Sequence, residues 1–181
     1  MPRLFIAIPL PPRVKELIGS FRIPIPGARW VSQEQVHLTL HFLGDRPDTD
    51  IPLLVSLLEG VADWGGISLV TTGPGTFGPY PSPRVLWLGI EQSLPLHRLH
   101  RTLGERLVSA GFSVDNRSFH PHLTIARLKG VGREALLPLL ARPPAHVTFP
   151  VERIVLFGSR LSTEGATHWE IASVFSGKGD V

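Results

Sequence analysis

The chain has 181 residues, a formal net charge of +3, 43% hydrophobic residues and no cysteine. Its length is typical of one domain or of two small lobes that share an interface, and its composition excludes a disordered chain. Without cysteine it has no disulfide, no thiolate metal site and no cysteine nucleophile. No apolar run reaches the roughly 20 residues that span a bilayer, and the apolar N-terminal stretch is too short for a signal peptide, so we expect a cytoplasmic protein.

Arginine supplies most of the positive charge. Of the 18 basic residues 15 are arginine, and the three lysines are Lys15, Lys129 and Lys178. The planar guanidinium fork suits phosphate, although the base composition of the genome or heat tolerance explains the bias equally well. A balance of +3 does not indicate nucleic acid by itself, but it makes an anionic substrate easy to accept.

The first half of the chain alternates predicted strands and helices. Apolar runs indicate buried strands, apolar residues at i, i+3, i+4 and i+7 indicate helices, and proline favours the first turn of a helix. The elements predicted in chain order are a strand over Arg3–Ile8, a helix opened by Pro11 and Pro12, a loop over Ile23–Gly27, a strand over Val36–Leu43, a helix over Pro47–Ala62 and a strand over Ile67–Thr72. Asp48 or Thr49 is the predicted cap of the second helix.

The second half begins after a segment so rich in glycine and proline, Gly73–Pro83, that it is predicted as a loop. The elements predicted beyond it are a strand over Arg84–Ile90, a helix over Leu94–Ala110 that Gly111 stops, a strand over Pro121–Leu128, a short helix over Arg133–Leu140, and strands over His146–Gly158 and Thr167–Phe175. A strand–helix–strand unit thus occurs twice along the chain.

The second strand of each unit carries the same type of tetrad, His37-Leu38-Thr39-Leu40 and His122-Leu123-Thr124-Ile125, with an offset of 85 residues. The first strand of each unit begins with a basic residue, Arg3 or Arg84, which precedes its histidine by 34 or 38 residues. Two related half-domains, each placing one His-x-Thr on a strand, predict a pseudo-twofold arrangement with a shared cleft.

Strand alternation assigns the polar and apolar residues of each tetrad to opposite faces. One face is predicted to carry His37, Thr39, His122 and Thr124, and the other Leu38, Leu40, Phe42, Leu123 and Ile125. Strict alternation would also put Arg127 on the apolar face, which is unfavourable for a guanidinium. We therefore expect the second strand to twist or end at Arg127, so that this side chain reaches the cleft as a phosphate clamp.

Two histidines that face each other across a cleft suit phosphoryl transfer by in-line displacement. A neutral imidazole takes a proton from the attacking oxygen, and a protonated imidazole gives one to the leaving oxygen. Histidine is the side chain whose ordinary pKa permits both states near neutral pH. Threonine hydroxyls on the same face can hydrogen-bond the non-bridging phosphate oxygens and stabilise the transition state.

A metal site is the other interpretation of paired histidines. Zinc needs three or four ligands, and the sequence has no cysteine to supply them. His41 follows His37 at a spacing that ligands take on a helix, but in a strand positions 37 to 41 spread over about 13 Å. We therefore expect no metal, and we interpret His41 as a residue at the rim of the cleft or an ordinary exposed one.

Five segments resemble the two-histidine (2H) phosphoesterase superfamily and, within it, the RNA 2′,3′-cyclic phosphodiesterases, also called 2′-5′ RNA ligases. They are RLFIAIPLPP at Arg3–Pro12, RWVSQEQVHLTLHFLG at Arg29–Gly44, PRVLWLGIE at Pro83–Glu91, RSFHPHLTIAR at Arg117–Arg127 and IVLFGSRLS at Ile154–Ser162. The resemblance implies an α+β fold of one domain over residues 1–181. Its two interleaved, pseudo-twofold-related lobes would each have an antiparallel sheet with outer helices, with the active-site cleft between them.

The same resemblance implies the role of each site residue. His37 would be the proton donor and His122 the proton acceptor, Thr39 and Thr124 would bind phosphate, and Arg127 would contact the substrate. The implied reaction is hydrolysis of a 2′,3′-cyclic phosphate at an RNA 3′ end to a 2′-phosphate. The reverse type of reaction, 2′-5′ joining to a 5′-hydroxyl, needs no nucleotide cofactor, and no metal is implied. RNA 3′ ends or 2′,3′-cyclic nucleotides are the expected partners of a monomer that does not bind membranes.

The chain departs from the family pattern at His41, where relatives often have a small residue, and at His168-Trp169, where a tyrosine is expected. Candidates for stacking on a base are Trp30, Phe42, Tyr80 and Trp169. Two other functions stay open. One is a non-catalytic nucleotide- or RNA-binding module, against which both intact histidines argue. The other is a phosphodiesterase for a different small cyclic phosphate, such as an ADP-ribose derivative.

Overall fold

The computed structural model describes residues 1–115, 117–162 and 165–177. Its strands in this part of the chain are β1 (Arg3–Pro9), β2 (Ala28–Trp30), β3 (His37–Asp45), β4 (Ser68–Phe77), β5 (Val85–Ile90), β6 (His122–Leu128), β7 (Thr148–Pro150), β8 (Arg153–Ser162) and β9 (Gly165–Phe175). Its helices there are α1 (Pro12–Ser20), α2 (Ile51–Glu59), α3 (Leu94–Ser109) and α4 (Arg133–Leu140), and a 3₁₀ turn at Asp48–Asp50 precedes α2. None of the helices so described is long and apolar enough to cross a membrane.

One antiparallel sheet runs through both halves of the molecule. Its strand order over the described residues is β7-β4-β5-β6-β3-β1-β8-β9, and β2 also pairs with β6. One lobe contains β4 to β7, and the other contains β1, β3, β8 and β9, which come from both ends of the chain. The pairing of β1 with β3 repeats that of β5 with β6. The predicted bilobal α+β architecture is confirmed.

The helices contribute to one continuous hydrophobic core on one side of the sheet. Alternate residues of the central strands point into it, including the fully buried Leu38 and Leu123. Burying a side chain of this size contributes about 1.5–3 kcal/mol. The other side of β1 and β8 carries a small cluster of Phe5, Ala7, Val155 and Phe157. That side of the sheet forms the cleft.

Most of the predicted elements are confirmed, with small shifts at their ends. Gly111 does stop α3, and its φ of 88° is one that glycine adopts without strain. The helix predicted over Pro47–Ala62 is shorter, because a 3₁₀ turn takes its first residues. The predicted caps Asp48 and Thr49 are wrong: the turn starts after Pro47, and no side-chain hydrogen bond caps it or α2.

The loop predicted over Gly73–Pro83 is wrong for its first five residues. The strand β4 continues to Phe77 and pairs with β5. Gly75 lies directly opposite Trp87, and a Cβ on Gly75 would overlap the indole ring. Glycine therefore makes room for Trp87, and pairing across the sheet overrides the preference of glycine and proline for turns.

The single strand predicted over His146–Gly158 is two strands that serve different lobes. The first, β7, pairs with β4, and the second, β8, pairs with β1. The break follows Pro150, which has no N–H to continue a ladder. The next amide, that of Val151, donates to the carbonyl of Ile67. The chain leaves one lobe and enters the other at this point.

Candidate active site

The two lobes meet at the strands that carry the two tetrads. The strands β3 and β6 are antiparallel neighbours, and Leu38 lies opposite Leu123. The same register sets each histidine beside the threonine of the other tetrad, on the face opposite the buried leucines. The pairs are His37 with Thr124 and Thr39 with His122. The pseudo-twofold axis therefore passes between the two leucines, and the two histidines stand diagonally across it.

A β-bulge follows the His-x-Thr of each strand. The register of β3 against β1 skips Leu40, and that of β6 against β5 skips Ile125. A bulge reverses the alternation of the residues after it. Over the seven positions from each histidine onwards, the two strands have the same order of buried and accessible residues. Phe42 and Arg127 occupy equivalent positions, and both lie on the cleft face.

The bulges overturn two predictions for β3. Phe42, expected on the apolar face, is 59% exposed on the cleft face. His41, expected at the rim or exposed, is buried against α3, where its Nε2 lies 2.9 Å from the carbonyl oxygen of His100 and the two rings stack. Arg127 reaches the cleft face because of the bulge, and the strand does not end there but continues to Leu128.

The register also shows which residues of β1 and β5 are equivalent in the repeat, and it differs from the sequence-based alignment of Arg3 with Arg84. Ala7 lies opposite Thr39 as Trp87 lies opposite Thr124. Residues of β1 and β5 therefore correspond at an offset of 80. Arg84 is the counterpart of Leu4, so the basic residues that begin the two strands are not equivalent.

Both motif histidines are held by the same local contact. Nδ1 of His37 lies 2.8 Å from the carbonyl oxygen of Gln35, and Nδ1 of His122 lies 2.6 Å from that of His120. A carbonyl oxygen only accepts, so each Nδ1 carries a proton and donates it. Each Nε2 is left for the substrate, as a lone pair when the ring is neutral and as an N–H when it is charged.

His37 packs among aromatic side chains of its own lobe. Its ring stacks on Phe5 with centroids 4.7 Å apart, lies 5.9 Å from the Phe157 ring, and meets the edge of His168 at 5.3 Å. Burial is the largest cause that lowers the pKa of His37 from 6.5 to about 4. The positive charges of His168 and Arg127 lower it further. This imidazole is therefore neutral at pH 7 in the free protein.

His122 has a similar environment in the other lobe. The Phe77 ring meets it edge-on at 4.8 Å, and the Trp87 ring lies 6.4 Å away. Burial is again the largest cause that lowers the pKa of His122, and the charge of Arg127 adds to it. The guanidinium thus acts on both histidines, as expected of a group between the lobes.

Two aromatic side chains beside the histidines each have a ring nitrogen without a hydrogen-bond partner. Among the described residues, Trp87 Nε1 and His168 Nδ1 are the buried side-chain nitrogens without a partner. Such atoms are rare, because a buried polar group normally finds a partner. In the sequence, His168 differs from its neighbours only as a departure from the family pattern, and Trp87 has no feature that marks it as a site residue. The only feature that could have identified them is the face of the strand on which they lie, and that face is known only once the pairing register is known.

The four stacking candidates lie in different environments. Phe42 faces the cleft, whereas Trp30 donates from Nε1 to a carbonyl and packs against the core. Trp169 lies over Gly158 and lines a separate pocket of about 630 Å³. Tyr80 is 86% exposed in a loop. Among the described residues no group of three histidine, aspartate or glutamate side chains could hold a metal ion.

A cleft built on two twofold-related His-x-Thr strands defines a two-histidine phosphoesterase. A family model described as the 2′-5′ RNA ligase superfamily matches residues 10–161. The chain belongs to that superfamily.

Curated relatives carry a narrower name. The chain is 37% identical over 178 residues to the RNA 2′,3′-cyclic phosphodiesterase of Geobacillus stearothermophilus, covering 94% of this chain and 56% of that protein. It is 36% identical over 170 residues to the protein of that name from Thermotoga maritima, covering 90% and 89%. The chain therefore spans just over half the length of the first relative and most of the second.

A solved structure has the same fold. The crystal structure of E. coli LigT complexed with 3′-AMP superimposes with a TM-score of 0.78 at 27% identity, covering 95% of this chain and 96% of that one.

Proposed function

We propose that this protein is an RNA 2′,3′-cyclic phosphodiesterase, a hydrolase that opens the cyclic phosphate at an RNA 3′ end to a 2′-phosphate. The observation that carries the proposal is the pair of Nε2 atoms offered by His37 and His122 on twofold-related strands. In-line displacement needs a base and an acid on opposite sides of phosphorus, and a twofold pair supplies one for each side. The names of the relatives and the 3′-AMP complex of LigT support the substrate class.

The proposed reaction balances with side chains alone. Nε2 of His122 takes a proton from water as the oxygen attacks phosphorus. The P–O3′ bond breaks, and Nε2 of His37 gives its proton to O3′, which leaves a 2′-phosphate and a free 3′-hydroxyl. Thr39, Thr124 and Arg127 bind the non-bridging oxygens and stabilise the charge of the transition state. Because His37 is neutral at pH 7 in the free protein, the bound anion must raise its pKa before it can act as the acid.

The same displacement accounts for ligation. When an RNA 5′-hydroxyl takes the place of water, His122 removes its proton and the P–O3′ bond breaks as before. The product is a 2′-5′ linkage. The cyclic phosphate itself provides the leaving group, so the joining needs no nucleotide cofactor.

Multiple-turnover assays on a 2′,3′-cyclic nucleotide test the proposal. We expect many turnovers, with the 2′-phosphate identified by phosphorus NMR. His37→Ala and His122→Ala should each lower the rate on the order of 10²–10⁴-fold, the usual contribution of a general acid or base. Thr39→Ala should cost less. His146→Ala, at an exposed histidine outside the cleft, is the matched control and should keep the wild-type rate.

Other outcomes would identify the alternative functions. Tight binding of the nucleotide without turnover would indicate a binding module and would refute the proposal. A panel of cyclic phosphates that includes an ADP-ribose derivative would reveal a different small substrate. Near wild-type turnover by either histidine variant would show that this side chain is not the acid or base that we assign.

We further infer that residues 1–181 act as one domain and that the protein works as a monomer in the cytoplasm. The continuity of the sheet across β3 and β6 supports a single domain, since neither lobe alone holds both histidines. Without cysteine the chain needs no oxidising compartment to form disulfides. Light scattering after size exclusion tests the monomer, and a mass twice that of the chain would overturn it.

A further inference from the structure

Two arginines lie side by side on the cleft face of the sheet, two residue positions along the strand from His37 and Thr124. Arg29 of β2 lies directly opposite Arg127 of β6. Their neighbours Ala28 and Trp30, and Ala126 and Leu128, pack towards the core, so both guanidinium groups point to the cleft. We define this Arg29–Arg127 pair as the arginine rung.

Like charges directly opposite each other destabilise a sheet. Other arginines of the chain have acidic partners: Arg3 pairs with Asp45, and Arg153 with Glu170. Over residues 1–115, 117–162 and 165–177, neither member of the arginine rung forms an ion pair with a carboxylate. An unneutralised pair of guanidinium groups on a cleft wall is suited to an anion, which it binds through forked hydrogen bonds.

The position of the arginine rung indicates which anion. The strands β2 and β3 follow the same edge of β6: the amide of Val31 donates to Ile125, and β3 begins beside Thr124. The arginine rung is therefore the next pair along from His37 and Thr124. With the bulge absorbing one residue, the separation along the strand is two residues, roughly 7 Å.

The roles assigned to the two histidines determine the direction in which the RNA chain runs along the cleft. This step rests on the proposed function, in which His37 protonates the O3′ that leaves. The ribose that bears O3′ then lies on the His37 side of phosphorus, towards the arginine rung. The RNA chain continues from the 5′ side of that ribose, and the next group along it is a phosphodiester.

We propose that Arg29 is a substrate-binding residue that binds the backbone phosphate on the 5′ side of the terminal nucleotide, while its neighbour Arg127 contacts the reacting phosphate. The preferred substrate is accordingly an RNA chain with a 2′,3′-cyclic end. A 2′,3′-cyclic mononucleotide lacks the second phosphate and leaves Arg29 without a partner.

Arg29→Gln tests the proposal with two substrates, a dinucleotide ending in a 2′,3′-cyclic phosphate and a 2′,3′-cyclic mononucleotide. We expect kcat/KM to fall about tenfold on the dinucleotide, mostly through KM, as for loss of an exposed charge-assisted hydrogen bond. The mononucleotide rate should not change. Arg98→Gln on α3, an exposed arginine, removes the same charge elsewhere and should leave both substrates unaffected.

A dinucleotide with a neutral methylphosphonate linkage identifies the phosphate that Arg29 contacts. The wild type should lose about tenfold on it, and Arg29→Gln should not distinguish the charged linkage from the neutral one. The slope of log KM against log salt should fall by about 0.7 in the variant. Equal losses on both cyclic substrates, or no loss on either, would overturn the proposal.

Binding separates this inference from the proposed function. The affinity of a dinucleotide 2′-phosphate, measured by calorimetry, should be about tenfold weaker for Arg29→Gln than for wild type even if no cyclic phosphate is turned over. Failure of turnover would refute the proposed function alone, and an unchanged affinity would refute the role of Arg29. The thermal midpoint of the variant should not fall, because the substitution relieves a like-charge contact.

Discussion

The two motif histidines have equivalent positions, and both are partly buried. His37 packs against Phe5 and Phe157, and burial lowers its pKa to about 4. The pKa of His122 is also lowered, with burial as the main cause. These lowered pKa values are compatible with binding of a phosphate anion, because the anion stabilises the charged form of the imidazole.

The pH profile follows from these directions. For kcat/KM, which reports the free enzyme, activity needs a protonated His37 and a neutral His122. Both pKa values lie below 6.5, so the bell should have its maximum below pH 6.5. For kcat, which reports the complex, the substrate anion raises both pKa values, and the maximum should move to higher pH. Steady-state rates from pH 4 to 9 check this; a kcat/KM maximum above pH 7 would contradict it.

At the scale of elements, His41 joins β3 to α3 beneath the cleft. Its ring stacks on His100 at 4.2 Å, and His100 in turn stacks on Phe119 at 3.9 Å. Gly104 of α3 faces the His41 ring, and a Cβ there would approach it to 3.0 Å. The helix can lie this close to the strand because it has glycine at the point of contact.

This stack makes stability depend on pH. Burial is the main cause that lowers the pKa of His41, and that lowers the pKa of His100 to about 4. The unfolded chain takes up protons near pH 6.5, so the stability that the neutral rings contribute is present above pH 6.5 and lost as the pH falls towards 4. His100→Phe keeps the stacking and should reduce the loss in the free energy of unfolding between pH 7.5 and 4.5.

We expect that reduction to be about 1 to 2 kcal/mol, after allowing for the partial exposure of the ring to solvent. Urea unfolding of wild type and His100→Phe at the two pH values measures it. An equal loss in both proteins would show that the stack does not titrate on unfolding.

For the whole molecule, the proposed chemistry is complete without a metal ion. The two histidines move both protons, and Arg127 with the two threonines meets the charge on phosphate. Hydrolysis of a 2′,3′-cyclic nucleotide should therefore proceed at an unchanged rate in excess chelator. Loss of activity that zinc or magnesium restores would contradict the two-histidine mechanism.

Many elements of this protein are determined by local sequence. The tetrads, the buried strands and the proline-opened helices depend on residue types a few positions apart, so periodicity alone predicts them. The duplication of His-x-Thr in two strand–helix–strand units also predicts two related half-domains with a shared cleft.

Tertiary structure decided which side chains share the cleft. Whether Phe42 and Arg127 turn towards it depends on bulges, and a bulge exists only relative to a partner strand. His41 is buried because α3 covers it, and Gly75 belongs to a strand because Trp87 lies opposite. The arginine rung likewise joins residues almost 100 positions apart in the chain. Pairing register is a long-range property, so no local pattern contains it.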